Sequence, residues 1–268
     1  MSRKAARRPG RLAYAESGSG RPIVLVPSFP ADRRMHGDLL RHPVGHVVAV
    51  DPVGFGRSAP ADDAPAPYTV EEAATELGRL IDRLALQRPI LVGTGLGGYV
   101  AIELAARRPR SFAGLVLVGC VASADPAEMA GFREETAQNA LRQGTAALAE
   151  HAHRTLHPEA GPRAINALRR MVAESDPAGY AAAVRGMARR PAPADVADRI
   201  RIPTLVTRGK GDPFAPAAGV RALAGLLARA TYLELPGAHL APLEHPTAFR
   251  SELERFAGQV WAGEPAPA

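Results

Sequence analysis

The chain has 268 residues, 46% hydrophobic and 22% charged, enough for one domain with an insertion and a sizeable core. Its formal net charge of +6 rests almost wholly on arginine, Lys4 and Lys210 being the only lysines, and no basic stripe with interleaved aromatics argues for a nucleic-acid partner. Cys120 is the sole cysteine, which excludes an intrachain disulfide framework or a cysteine metal site.

In chain order, apolar runs at 11–17, 22–26, 46–50, 89–92, 112–118, 204–207 and 231–235 read as strands. Most are continuous and rich in Val, Leu and Ile, as expected of strands buried on both faces of a parallel sheet. Helical patterns fall between them at 70–84, 97–107, 216–227 and 246–256, with Thr69 and Glu72 predicting a capping box. The alternation predicts a doubly wound, mostly parallel α/β fold. From residue 123 to 199 it breaks into amphipathic helices expected at 126–139, 144–155, 163–175 and 177–188. The organisation expected is therefore a core domain of residues 1–122 and 200–268 with a helical cap, or lid, at 123–199. The closing Pro265-Ala266-Pro267-Ala268 is expected to fray.

The basic opening leads straight into Leu12-Ala13-Tyr14 without an apolar signal core, and no apolar run approaches the ~20 residues of a bilayer span. A cytoplasmic protein without a membrane partner is expected, monomeric or homodimeric.

Ligand sites in such sheets lie at the carboxyl ends of the strands, and several segments deliver side chains there. Pro22-Ile-Val-Leu-Val-Pro27-Ser28-Phe29-Pro30, Asp51-Pro-Val-Gly54-Phe-Gly56-Arg-Ser58, Leu91-Val-Gly93-Thr94-Gly95-Leu96-Gly97-Gly98, Gly209-Lys-Gly-Asp212-Pro213 and Pro236-Gly237-Ala238-His239 follow one another in this order. Together they resemble the α/β-hydrolase fold family, in its capped small-molecule, lactonase and haloperoxidase-like branch, over about residues 11 to 258. The resemblance implies an oxyanion loop at 27–30, a nucleophile elbow at 93–97, and an acid and histidine at Asp212 and His239. The elbow departs from Gly-x-Ser-x-Gly: Gly95 fills the serine slot, so no acyl-enzyme can form there. Pro27-Ser28 replaces the usual His-Gly, and Thr94 stands where the family often has His. Several coordinated departures read as a rebuilt site rather than a single engineered exchange.

What remains is a His239–Asp212 dyad suited to general base work. The amides of Phe29 and Leu96 are implied as an oxyanion hole, since main-chain donors need no particular side chain. With Gly95 the elbow loses bulk, and the space is expected to admit a water or the substrate. Ser28 is the first candidate for a replacement nucleophile, but is read here as a substrate-binding or loop-capping hydroxyl because nothing in the sequence fixes it against His239. Thr94 is expected to point into packing, and Cys120 to be a small apolar residue. His151, His153 and His157 are spaced i, i+2, i+6, which does not align them on one helical face, so lid packing or surface is expected and no metal. Arg107, Arg108, Arg110, Arg169 and Arg170 read as solvated faces.

A rival comes from Gly93-Thr-Gly95-Leu-Gly-Gly98, which satisfies G-x-G-x-x-G between a strand and a helix. It follows several earlier strands, and the next strand ends Val118-Gly119-Cys120-Val121 without the acidic ribose partner. No cofactor is expected. The function expected first is non-covalent acid–base chemistry (lyase, isomerase or cyclase type) on a small apolar substrate of the secondary-metabolite kind. The alternatives are hydrolysis by water activated through His239, and a ligand-binding paralogue without turnover.

Overall fold

The computed structural model describes residues 12–58 and 66–263. The basic opening and the closing Pro-Ala segment lie outside the described residues. Seven strands form one sheet: β1 (Tyr14–Ser17), β2 (Pro22–Val26), β3 (His46–Val50), β4 (Ile90–Thr94), β5 (Gly114–Val118), β6 (Thr204–Gly209) and β7 (Ala230–Leu235). Their order is β1-β3-β2-β4-β5-β6-β7. β1 pairs antiparallel to β3, and every other pairing is parallel. The doubly wound, mostly parallel sheet expected from the sequence is the one observed.

Around and above it run α1 (Gly37–Arg41), α2 (Val70–Arg83), α3 (Leu96–Arg107), α4 (Met129–Gln143), α5 (Thr145–Ala149), α6 (Pro162–Ala173), α7 (Pro177–Met187), α8 (Ala217–Leu226), α9 (Ala241–Glu244) and α10 (Pro246–Ala262). Successive strand side chains point to opposite faces. Val24, Leu91 and Leu117 pack with Leu77 of α2, Leu104 of α3 and Leu223 of α8. Leu25, Val92 and Val116 meet Leu39 of α1 and Phe249 and Leu253 of α10 on the other face. α2 starts where its capping box predicts: the Glu72 amide donates to Thr69 Oγ1 (3.2 Å) and the Thr69 amide to Glu72 Oε2 (2.9 Å).

Helices α4 to α7 lie between β5 and β6 in the chain. Leu168, Met171, Tyr180 and Val184 from them pack with Met35, Phe55 and Leu240 of the core. Contact is close at Gly54 and Gly179, where a Cβ on either would run into the other's backbone, and at Gly186, where one would run into Tyr68 O. The Asp176 amide donates to Gly54 O (3.0 Å) and the Tyr68 amide to Ala182 O (2.9 Å), sealing the same seam.

Three expectations need correction. The helix expected at 144–155 is broken into α5 and a 3-10 turn at Ala152–Thr155. The His153 ring meets Glu150 O (2.8 Å) and Thr155 Oγ1 donates to Ala152 O (2.8 Å), so side chains take carbonyls a continuing helix would use. α10 runs six residues past the expected end at 256, because Ala257 and Val260 continue the buried stripe of Phe249, Leu253 and Phe256. The short helices α1 and α9 were not anticipated, being too short to show a period.

Candidate active site

The sheet changes winding direction between β2 and β4, adjacent parallel strands whose carboxyl ends bound the crevice. Their register pairs Val26 with Gly93. Ser28 and Gly95 each stand two residues beyond that pair, so the register itself brings them together. Gly95 makes the turn from β4 into α3 with φ 49° and ψ −119°, a backbone that favours glycine. A Cβ built on it would overlap Ser28 Oγ and lie 2.7 Å from His239 Nε2. The space expected to admit a water or the substrate is therefore taken up by the Ser28 hydroxyl.

Asp212 and His239 follow β6 and β7 and converge on the same point. His239 Nδ1 lies 2.9 Å from Asp212 Oδ2. The second carboxylate oxygen, Oδ1, accepts from the amides of Phe214 (2.8 Å) and Ala215 (3.0 Å). The Asp212 side chain is completely buried and that of His239 is 13% exposed. A carboxylate engaged in this way acts as acceptor, so the proton of the shared bond belongs on Nδ1 and the lone pair on Nε2. Nε2 faces Ser28 Oγ at 3.5 Å, and that hydroxyl also donates to Phe29 O (3.0 Å). Ser28, expected to be unattached to the imidazole, is thus its neighbour. Nothing in the periodicity of either strand signals this; the equal offset of Ser28 and Gly95 from paired residues does.

The other donors expected at the site are the amides of Phe29 and Leu96. Leu96 is the first residue of α3, where amides lack a helical acceptor. Among the described residues, neither its N–H nor that of Phe29 enters a backbone hydrogen bond. Beside them lies an apolar cavity of about 50 Å³, lined in part by Phe29, Val53, Phe55, Tyr68, Leu96 and Val100. Phe29, Phe55 and Tyr180 of α7 pack ring against ring over this region, the Phe29–Tyr180 centroids 4.6 Å apart.

The sequence matches the alpha/beta hydrolase fold family over residues 21–246. The chain belongs to that family. An esterase from Thermogutta terrifontis is similar at 30% identity, with a TM-score of 0.86 and coverage of 96% of this chain and 99% of that one. The enol-lactonase from Burkholderia xenovorans LB400 gives 27% identity and a TM-score of 0.83, covering 95% of this chain and 99% of that one. Among curated proteins, 3-oxoadipate enol-lactonase 2 of Acinetobacter baylyi is 27% identical over 78% of this chain and 77% of its own length.

Other candidate residues of this α/β-hydrolase-fold chain take structural places. Asp51 is fully buried and binds the amides of Arg33 (3.0 Å) and Arg57 (2.8 Å) and the Arg33 guanidinium. Burial pushes its carboxyl up, while those donors pull it down. Ser58 Oγ donates to Asp51 O (2.7 Å) and accepts from the Ala13 amide (2.9 Å), so the Asp51–Ser58 turn is tied down at both ends. Thr94 is completely buried, and among the described residues its hydroxyl has no hydrogen-bond partner. Cys120 lies beneath the elbow, its Sγ 3.5 Å from Gly95 O, and burial pushes its thiol up to about 12. His151 and His153 are exposed, and the His157 amide donates to Glu244 Oε2 (2.7 Å). Among the described residues no group of three His, Cys, Asp or Glu is placed to hold a metal ion, and no helix is long and apolar enough to cross a membrane. Arg107 pairs with Glu103 and Arg108 with Asp82 on the surface.

Sequence reasoning missed Arg208. It lies inside β6, with its guanidinium donating to Ala215 O (2.8 Å) and Asp212 O (3.2 Å) and paired with Glu234 (3.2 Å). It fastens the turn that carries the acid. A charge inside an apolar strand requires partners, and the strand expected at 204–207 ends one residue short of it.

Proposed function

We propose that this chain hydrolyses small esters or lactones, with His239, oriented by Asp212, moving the proton and the Phe29 and Leu96 amides holding the developing oxyanion. The observation that carries this reading is the 2.9 Å bond between Asp212 and His239 Nδ1, which leaves Nε2 facing the turn at Gly95. An imidazole so held contributes about 10²–10⁴-fold as a general base. Gly95 stands where a hydrolase of this family carries its nucleophilic serine, so no covalent intermediate forms at residue 95. The esterase and enol-lactonase likenesses support an acyl substrate. The cavity beside the oxyanion amides favours a short one: about 50 Å³ is a third of the roughly 150 Å³ that receives benzene.

A second reading, lyase, isomerase or cyclase chemistry, draws on the same residues. Amides that stabilise a tetrahedral oxyanion equally stabilise an enolate, and His239 would then take a proton from carbon. The hydroxyl beside Nε2 gives hydrolysis the stronger support. Short-chain nitrophenyl esters and small lactones, assayed in ¹⁸O-labelled water, separate the two: label enters the acid product of hydrolysis and no product of a lyase or isomerase. The His239→Ala variant is expected to lose turnover while melting as a folded protein. Full activity in that variant takes His239 out of the mechanism and removes the proposal; binding without turnover in the natural chain would leave a binding role.

A further inference from the structure

We propose that Ser28 is the nucleophile of this site, its hydroxyl having taken the place left by the glycine at the elbow. The assignment rests on the hydrolase reading above and goes beyond it by naming the group that bonds to substrate.

Three independent observations converge. Ser28 Oγ lies inside the volume that a side chain on Gly95 would fill, so the two residues offer one hydroxyl position between them. That oxygen faces Nε2 of an imidazole whose other nitrogen is fixed by a buried carboxylate. Ser28 is itself buried, 1% exposed, and among the described residues the one other hydrogen bond of its hydroxyl runs to the neighbouring carbonyl of Phe29. Turning the hydroxyl hydrogen from Phe29 O toward Nε2 needs rotation about one bond. The 3.5 Å separation then has to close by about 0.5 Å, a contraction typical between a free site and one holding substrate.

The chemistry balances with substrate and water alone. Ser28 Oγ attacks the ester carbonyl carbon while its proton passes to His239 Nε2. The carbonyl oxygen, now an alkoxide, sits between the Phe29 and Leu96 amides. Its collapse breaks the bond to the alcohol, which leaves with the proton from Nε2. Water attacks the acyl-Ser28 ester, giving a proton to the same nitrogen; Ser28 departs, recovers that proton, and the carboxylic acid is released. The small apolar cavity lined by Phe29 and Leu96 is the nearest place for an acyl chain.

The test is labelling with a small alkyl fluorophosphonate, followed by peptide mass spectrometry, alongside turnover of nitrophenyl acetate. The protein as it stands should be labelled on the peptide containing Ser28, and Asp212→Asn should slow labelling. Ser28→Ala should lose the label and at least about a hundredfold in turnover, as loss of an activated nucleophile does, with an unchanged melting transition. In the double exchange Ser28→Gly with Gly95→Ser the label should move to position 95, a result that a merely structural serine would not produce. Failure of the natural chain to label at Ser28 overturns the assignment. So does full turnover in Ser28→Ala; if His239→Ala is dead at the same time, a hydrolase that activates water directly survives. Loss of neither activity overturns both.

Discussion

His36 sets up a stability test whose size follows from its surroundings. It is fully buried at the end of the 3-10 turn Arg33–His36, and among the described residues neither ring nitrogen has a hydrogen-bond partner. Burial alone lowers its pKa from 6.5 to about 3. The folded state thus holds the ring neutral, whereas the unfolded chain protonates it as pH falls through 6.5. Stability is unaffected above that value, declines below it, and stops declining once pH drops under about 3. Between about pH 7.5 and about pH 5 the unfolded state gains about 2 kcal/mol from this one group. At about 2.1 cal/mol/K per residue of unfolding entropy, this lowers the melting temperature by about 4 °C. His36→Leu removes the titration and two unpartnered polar atoms while keeping similar volume. Urea unfolding of both proteins at the two pH values checks this: the variant should be at least as stable at the higher pH, with a gap that widens by about 2 kcal/mol at the lower. Parallel pH profiles would refute the reasoning, because they would mean the ring is charged or solvated in the fold.

Two further outcomes follow from the site. Gly95→Ser alone should destabilise the chain, since its Cβ meets Ser28 Oγ and His239 Nε2; adding Ser28→Gly should restore part of the loss, with a coupling of about 1–3 kcal/mol in a double-mutant unfolding cycle. Additive losses would show that the two residues do not share space. Arg208→Met should cost about 2 kcal/mol or more, because the buried carbonyls of Asp212 and Ala215 lose their donor; thermal unfolding measures it, and a change under about 1 kcal/mol would mean the turn at 212–215 holds itself.

Much of this arrangement was legible because each part depends on local residue types. The strands are Val- and Leu-rich runs of fixed length, and β2 and β3 end where their apolar runs end. Asp212 and His239 were placed at matching points after successive strands, and pairing of β6 with β7 in register makes them neighbours. Arg208 and His36 were illegible for the opposite reason. Each is a polar residue whose burial depends on elements far away in sequence, and composition cannot show whether a buried group has found partners, as Arg208 has, or lacks them, as His36 does.

The Ser28 question divides along the same line. Read along the chain, a serine after β2 and a glycine after β4 are two unrelated departures, one in each loop. Read across the sheet, they are one. Val26 and Gly93 stand opposite each other in the register, parallel strands advance together, and two residues further on each chain reaches the same height above the sheet. Only one side chain fits at that height beneath His239, because a Cβ at residue 95 and the hydroxyl of residue 28 claim the same volume. Whether the site keeps a hydroxyl therefore depends on the pair and not on residue 95 alone. A glycine at the elbow by itself would argue for a site emptied of its nucleophile; a glycine there with a serine at the paired position argues for a nucleophile moved across the crevice.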